Sequence, residues 1–305
     1  MRRGGEAGWR GKGIVPLLAA ILALAALGAG AARVEEGAKP ASVGATAAES
    51  AAAPPAAPAA KPAPIRVVCF DIAGTGVGAR NMKKCLDPSP DFTFQTVTAE
   101  DIRQNALSKC DVIICPGGNA PKQAQNLGAE GCQAIREFVR SGGGYVGFCA
   151  GSYLASAHFT WDLGILNAKV VDRDHWARGN GNVTLKITPE GKRILGATDE
   201  IVTCYYAQGP LLEPSNLADV PPYQVLATFN SEIAKKGAPS GVMIGTTAIA
   251  AGTCGKGRVL CFSPHPEMTK GLEDFVRRAV RWAAGRNPVS DHPPGGVPGS
   301  SGEDT

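Results

Sequence analysis

Short apolar runs alternate with amphipathic segments along residues 65–285. Runs of this length and composition form buried strands. Five of them predict strands, at 65–72, 92–98, 111–118, 144–148 and 257–264. Ile135, Phe138 and Val139 lie at i, i+3 and i+4 before Ser-Gly-Gly-Gly, which predicts a helix with a glycine stop. The last helix is predicted from one apolar face before Gly285, formed by Leu272, Phe275, Val276, Ala279, Val280 and Ala283.

The alternation of strands and helices predicts an α/β fold with three layers, in which helices cover both faces of a mostly parallel sheet. Residues 166–230 depart from this pattern. Their short β-rich pieces, at 182–188 and 200–206, predict an insertion of hairpins into the domain.

The two ends of the chain have a different composition from the middle. Basic residues precede a stretch of 19 apolar or small residues that ends in Ala29-Gly30-Ala31, and residues 1–32 are therefore predicted to be a secretory signal peptide. An uncleaved membrane anchor is the alternative, because 19 such residues can span a bilayer. The first interpretation predicts export to the periplasm, the envelope or the medium. The second predicts an anchored protein whose domain lies outside the cytoplasm.

The remaining boundaries follow from composition. Residues 33–64 are rich in Ala and Pro and predict a linker, 65–287 predict the folded domain, and 288–305 predict a disordered tail. The net charge is +4, and the four basic residues and one Glu of residues 1–32 account for +3 of it. The domain is therefore close to neutral, which argues against a nucleic-acid partner.

Gly147-Phe148-Cys149-Ala150-Gly151 has the pattern of a nucleophile elbow between a strand and a helix. Glycines on both sides permit the sharp turn, and the thiol would lie at a helix N-terminus, where the dipole favours a thiolate. The site would then lie at the carboxyl end of a strand, as is usual in open α/β sheets. The alternative is a buried structural cysteine beside closely packed glycines.

A thiolate nucleophile needs a base, and His265 is the favoured candidate. It follows the last predicted strand, with Glu267 two residues later to accept a hydrogen bond from one imidazole nitrogen. His158 is predicted on the same helix as Cys149, nine residues on, which is too far for a contact. The alternative for His265 is an ordinary loop histidine.

Two glycine-rich loops follow predicted strands. Gly117-Gly118 follows the third strand, and its alternative is an ordinary tight turn. Gly-Thr-Gly-Val-Gly at 74–78 follows the first strand and resembles a dinucleotide motif. It lacks the G-x-G-x-x-G spacing, and no acidic residue ends the second strand, so we expect a loop near the site in which Gly74 and Thr75 contact the substrate.

The elbow and the His-Pro-Glu segment resemble the class I glutamine amidotransferase-like superfamily. The blocks at 114–156, 204–214 and 255–267 resemble, more closely, the biotin-protein ligase N-terminal domain family, with Gln208 where a glycine is usual. The resemblance implies a flavodoxin-like fold with Cys149 as nucleophile, His265 as base and Glu267 as its orienting partner.

The resemblance also implies the rest of the site. The oxyanion hole would use backbone N–H groups of the Gly117-Gly118 loop and of Ala150. Tyr205 and Tyr206 are possible pocket residues.

One position departs from the glutaminase pattern. Tyr153 stands where glutaminases of the superfamily carry Gln, so free glutamine is not the expected substrate, although Tyr153 is a possible pocket residue. About 20 residues follow 285, so a biotin ligase is not expected. We therefore expect a stand-alone thiol hydrolase or acyl transferase acting on a small-molecule or peptide amide. The alternative is a non-catalytic envelope binding module that retains the pocket.

The cysteine pattern bears on metals and on redox state. The chain has nine cysteines and no C-x-x-C pair, so neither a metal nor another cofactor is expected. Eight cysteines besides Cys149 would suit disulfides in an exported protein, but several lie in apolar strand runs. We expect mostly reduced thiols with one or two bridges.

Overall fold

The structure is a computed structural model and describes residues 62–72 and 77–286. The predicted signal peptide or anchor and the tail at 288–305 lie outside the described residues, as do nearly all of the linker and both Gly74 and Thr75. Within the described part of the chain, no helix is long and apolar enough to cross a membrane.

The described residues form strands and helices in the predicted alternation. The strands are β1 (Ile65–Phe70), β2 (Phe92–Val97), β3 (Val112–Cys115), β4 (Gly144–Phe148), β5 (Ala168–Val171), β6 (Asn180–Ile187), β7 (Ile201–Ala207), β8 (Leu211–Pro214), β9 (Gln224–Phe229), β10 (Thr247–Cys254) and β11 (Gly257–Phe262). The helices are α1 (Val77–Leu86), α2 (Ala99–Arg103), α3 (Ala120–Arg140), α4 (Ala150–Ala155), α5 (Pro189–Leu195) and α6 (Glu273–Ala283). Short 3₁₀ turns lie at Ala106–Lys109, Arg173–His175 and Pro266–Met268.

All the described strands belong to one mixed sheet, whose main path runs β2-β1-β3-β4-β11-β10-β9-β6-β7. The strands from β2 to β11 along this path pair in parallel. From β10 onward the pairing is antiparallel, and β8 and β5 attach beside β10. The predicted α/β fold is confirmed, and its core sheet is parallel.

The β-rich insertion contributes more to the sheet than the hairpin pattern alone predicted. A tight turn at Gly255, with φ 58°, reverses the chain between β10 and β11, so β10 joins the parallel core antiparallel to it. Strands β9, β6 and β7 then extend the same sheet beyond β10. The strands of the insertion therefore continue the core sheet and are joined to its parallel half through β10.

Helices cover both faces of the sheet, as predicted. One hydrophobic cluster contains Met82 of α1 and Val280 of α6 with strand residues such as Cys69. The other contains Leu127 and Ile135 of α3 with strand residues of the opposite face. Neighbouring strand residues thus enter opposite cores. The last helix differs slightly from the prediction, because Leu272 caps α6 and precedes it.

All nine cysteines are free thiols, and each is buried. The expectation of one or two bridges is therefore wrong in this structure. The strand cysteines are divided between the two cores, with Cys69 in one and Cys115 and Cys261 in the other. They fill apolar space as small hydrophobic side chains.

Candidate active site

Cys149 lies at the sharp turn between β4 and α4. Its backbone, at φ 48° and ψ −98°, has a conformation that residues other than glycine rarely adopt. A Cβ on Gly147 would come within 2.7 Å of the Gly151 backbone, and a Cβ on Gly151 would overlap the carbonyl oxygen of Cys115. Both glycines of the elbow are therefore required by close packing, as well as by the turn.

Backbone hydrogen bonds hold this strained turn in place. The N–H of Cys149 donates to the carbonyl of Phe262 at 2.8 Å, and the carbonyl of Cys149 accepts from the N–H of Tyr153 at 3.1 Å. The buried hydroxyl of Ser152 donates to Phe262 O, at 2.7 Å, and to Gly147 O, at 3.1 Å. The elbow is thereby tied to the end of β11, the strand that leads to His265.

His265 and Glu267 form a buried pair directly after β11. Nδ1 of His265 lies 2.7 Å from Oε1 of Glu267, and the two side chains are 7% and 3% exposed. The backbone N–H of His265 also donates to the carbonyl of Tyr205, at 2.7 Å. An ionised Glu267 places the proton on Nδ1, which leaves Nε2 as the nitrogen free to exchange a proton with another group.

The surroundings of His265 favour the imidazolium form. Burial lowers the pKa of His265, but the nearby sulfur of Cys149 and the hydrogen-bonded carboxylate of Glu267 outweigh burial and raise this pKa from 6.5 to about 10. A protonated imidazole between a carboxylate and a cysteine stabilises a thiolate at the cysteine.

In the resting geometry the Cys149 thiol and His265 Nε2 are not hydrogen-bonded. The thiol donates to the carbonyl of Ala207 at 3.4 Å, and Nε2 has no hydrogen-bond partner in the described part of the chain. The two side chains nevertheless both lie against Gly117. Catalytic hydrogen bonds that are long or absent in a ligand-free protein can form when the substrate binds.

Gly117 provides the space in which the imidazole lies. A Cβ at this position would be 2.7 Å from Cε1 of His265 and 3.6 Å from Cβ of Cys149. Sequence analysis assigned Gly117 to an oxyanion hole and did not identify this steric role. The signal for it is weak, because Pro-Gly-Gly after a strand is compatible with many turns.

Of the predicted oxyanion-hole residues, Gly118 and Ala150 lie beside Cys149 at one pocket, and Gly117 is not among the lining residues. The N–H of Ala150 lies in the first turn of α4, where no intrahelical partner exists and no side chain caps the helix. Gly118 has φ 148°, a conformation available to glycine.

Cys149 opens into a pocket of about 310 Å³. Its lining comprises Gly118, Asn119, Ala120, Pro121, Cys149, Ala150, Tyr153, Phe159, Trp161, Arg173, Trp176, Ala207 and Gln208. Tyr153 is one of them, as predicted from its position, and its hydroxyl donates to the carbonyl of Gln208 at 3.3 Å. Burial raises the pKa of Tyr153, so this hydroxyl remains protonated. Gln208 has φ 63°, which explains why a glycine suits that position.

The other two predicted tyrosines are not among the residues that line this pocket. Tyr206 is fully buried, its hydroxyl donates to Gly209 O at 2.8 Å, and its ring meets Phe229 edge to face at 5.6 Å. The ring centroid of Tyr205 lies 6.2 Å from that of His265. The carbonyl of Tyr205 accepts a hydrogen bond from the backbone N–H of His265. Tyr205 therefore holds the backbone of His265, and Tyr206 belongs to the core.

Sequence analysis missed the aromatic wall of the pocket because it predicted too long a helix after the elbow. Helix α4 ends at Ala155, so His158 lies beyond it, where its Nδ1 accepts from the N–H of Val170 at 3.0 Å. The chain then turns back and brings Phe159 and Trp161 to the pocket. Two aromatics in a short polar segment after the helix are the signal that could have identified this wall.

No metal-binding cluster of three or more His, Cys, Asp or Glu side chains occurs in residues 62–72 and 77–286. The described site residues provide a thiol, an imidazole and a carboxylate beside an apolar pocket.

Comparison with known proteins identifies one family. Residues 72–281 match the family model described as biotin-protein ligase, N terminal, which confirms the resemblance found in the sequence. No curated protein matches the chain.

Several solved structures are similar to this chain, and one of them exceeds a TM-score of 0.5. A ThuA-like protein from Bacteroides uniformis superposes with a TM-score of 0.51 at 15% identity, over 76% of this chain and 96% of that one. A cytoplasmic protein from Salmonella typhimurium matches with a TM-score of 0.48 at 13% identity, over 72% and 98% of the two chains. A glutamine amidotransferase from Thermotoga maritima matches with a TM-score of 0.47 at 12% identity, over 72% and 98%.

Proposed function

Since the chain belongs to the biotin-protein ligase N-terminal family, we propose that it is a thiol hydrolase or acyl transferase that cleaves an amide-type bond. In this proposal Cys149 is the nucleophile, His265 is the general base and acid, and Glu267 orients the imidazole. The observation that carries the proposal is the placement of a strained elbow cysteine at the end of β4, beside a buried His–Glu pair at the end of the adjacent strand β11.

The first half of the reaction forms an acyl-enzyme. Nε2 of His265 holds the proton of Cys149, and the thiolate attacks the amide carbonyl carbon to form a carbon–sulfur bond. The N–H groups of Ala150 and Gly118 donate to the oxyanion of the tetrahedral intermediate. The carbon–nitrogen bond then breaks, Nε2 gives its proton to the leaving amine, and a thioester remains on Cys149.

The second half releases the acyl group. His265 removes a proton from water, or from an acceptor amine, as that molecule attacks the thioester carbonyl. The carbon–sulfur bond breaks and the thiolate returns. Glu267 keeps Nδ1 protonated throughout, so Nε2 faces the reaction in the correct tautomer.

Unsatisfied polar atoms at the pair support a catalytic over a structural role. Within the described residues, four buried side-chain atoms have no hydrogen-bond partner, and two of them are Nε2 of His265 and Oε2 of Glu267. A buried polar group without a partner costs about 1–3 kcal/mol. An ordinary structural histidine would have both nitrogens satisfied, whereas a proton carrier needs one of them free.

The substrate and location follow from different parts of the chain. Tyr153 and the aromatic wall make the pocket apolar, which argues against free glutamine and for a small-molecule or peptide amide with an apolar group. The composition of residues 1–32 supports export, either with cleavage of a signal peptide or with the segment retained as an anchor.

Acylation by an activated ester tests the proposal. We expect p-nitrophenyl acetate to give a burst of nitrophenolate and an acetyl group on Cys149, detected by intact mass and peptide mapping. Cys149→Ala should lose both signals. Cys132→Ala, which removes another buried cysteine on α3, should retain both. Acetylation that is spread over several cysteines, or that persists in Cys149→Ala, would contradict the proposal.

The second candidate is a non-catalytic binding module. One observation favours it, namely that the thiol donates to Ala207 O in place of His265 Nε2. A binding module would give no acetyl-enzyme with p-nitrophenyl acetate, and its pocket would bind ligand equally well in the wild type and in Cys149→Ala.

A further inference from the structure

We infer that the pocket beside Cys149 selects amides that carry a planar aromatic ring and a carboxylate, such as N-acyl derivatives of an aromatic amino acid. The inference rests on the proposed function, because it names the substrate class of the same site. Three features support it: an aromatic wall, an available guanidinium at the rim, and a rigid turn that holds both rim residues.

The aromatic wall is preassembled. Phe159 and Trp161 stack with ring centroids 4.6 Å apart and an angle of 9° between planes, and Tyr153 lies 6.3 Å from Phe159. Trp176, another lining residue, is 54% exposed. A large exposed indole at a pocket rim is a common feature of ligand recognition, and an aromatic ring placed against these side chains gains offset or edge contacts.

Arg173 supplies the charge. It begins the 3₁₀ turn Arg173–His175, which Trp176 directly follows. Its side chain pairs with Asp174 at 3.5 Å, and both side chains are largely exposed. Such a pair contributes little, so the guanidinium can take a carboxylate in a bidentate arrangement. No Asp or Glu is among the described lining residues. The lining also includes the N-terminal end of α3, where the helix dipole is positive.

A buried anchor holds this rim in place. Asp172, in a left-handed conformation at φ 51°, pairs with Arg178, and it also lies 2.5 Å from Nδ1 of His175. The Arg178 side chain is only 1% exposed. Because these contacts fix the turn, its backbone loses little further freedom when a ligand binds at Arg173 and Trp176.

The volume limits the size of the ligand. A pocket of about 310 Å³ is at the lower end of the range for small-molecule sites. It suits one ring with an amide and a carboxylate.

Electrophiles of matched structure test the inference by their rate of reaction with Cys149. We would compare N-chloroacetyl-phenylalanine with N-chloroacetyl-phenylalaninamide, which lacks the carboxylate, and with N-chloroacetyl-alanine, which lacks the ring. In each reaction the thiolate displaces chloride, so that a sulfur–carbon bond replaces the carbon–chlorine bond. We expect the phenylalanine acid to react about five- to tenfold faster than either analogue. Iodoacetamide reports the intrinsic reactivity of Cys149.

Two rim variants should separate the two contributions. Arg173→Gln should remove the preference for acid over amide and keep the preference for phenylalanine over alanine. Trp176→Ala should remove the preference for phenylalanine over alanine and keep the preference for acid over amide. Arg193→Gln on α5 and Ile201→Ala on β7 are the matched controls, because both residues are exposed and lie outside the pocket lining. Both controls should keep both preferences.

The outcomes distinguish this inference from the proposed function. Equal rates for the three chloroacetyl reagents, with rapid iodoacetamide labelling of Cys149, would overturn the substrate class and leave the nucleophile in place. An acid preference that survives Arg173→Gln would also overturn it. Iodoacetamide labelling of Cys149 no faster than that of the other cysteines would refute the proposed function itself.

Discussion

Replacing Glu267 with glutamine keeps the shape of the side chain and removes its charge. The carboxylate lies 2.7 Å from Nδ1 of His265, and both side chains are buried. Burial lowers the pKa of His265, but interactions with Cys149 and Glu267 outweigh it and raise the pKa to about 10. Without the negative charge of Glu267, the imidazolium loses one of its two stabilising partners.

The size of the effect follows from this pKa. A rise from 6.5 to about 10 corresponds to about 5 kcal/mol in favour of the imidazolium, at about 1.4 kcal/mol per pH unit. Cys149 and Glu267 both contribute to this rise, so Glu267→Gln should remove only the part due to Glu267. The loss of one close opposite charge should lower the pKa of His265 by roughly one to three pH units.

The raised pKa of His265 makes the stability of the wild-type protein depend on pH, and Glu267→Gln should weaken this dependence. A histidine whose pKa is higher in the folded protein stabilises the fold fully below its unfolded pKa near 6.5, and this contribution is lost as the pH rises through about 10. The free energy of unfolding should therefore be lower in Glu267→Gln than in the wild type, by roughly 1–4 kcal/mol at pH 6 and by less at pH 10.

Histidine NMR titration measures the pKa directly. The Cε1 signal of His265 is identified by its absence in His265→Asn, and urea unfolding at both pH values gives the stability difference. Glu190→Gln is the control, because Glu190 pairs with Arg193 on α5, outside the pocket lining. A wild-type His265 that titrates near 6.5, or a pKa that is unchanged in Glu267→Gln, would refute the reasoning.

Four further predictions test the site and the N-terminus. Limiting iodoacetamide near neutral pH should alkylate Cys149 before any other cysteine, as peptide mapping would show, since its thiolate is stabilised by the imidazolium. Gly117→Ala should reduce the rate of acetylation of Cys149 at least tenfold, because the new Cβ displaces the imidazole. It should also lower the free energy of unfolding in urea by about 1–3 kcal/mol. An unchanged acetylation rate would contradict this steric role. In turnover assays, Cys149→Ala and His265→Ala should each abolish amidase activity. The double variant should be no worse, whereas additive losses would argue against a single catalytic unit. Mass spectrometry of the mature protein should find residues 1–31 or so removed, while their recovery in a membrane fraction would establish the anchor.

The sequence by itself determined the fold class and the two motifs of the candidate site. Each strand or helix buries one face or its whole length, so the local spacing of apolar residues predicts the type of element. The elbow was predictable for a similar reason, because Gly147 is required by a local contact with the backbone of Gly151, although Gly151 itself is required by a tertiary contact with Cys115. His265 and Glu267 are two residues apart, so their pairing needed only a short turn after a strand.

Only the tertiary structure decided which distant segments meet at the thiol. Helix α4 stops at Ala155, and this early end brings Phe159 and Trp161 to the pocket. The antiparallel extension of the sheet places Tyr206 in the core and leaves Trp176 at the rim. These positions depend on strand order and register across more than a hundred residues of chain, and no local spacing of apolar and polar residues encodes which segments become neighbours.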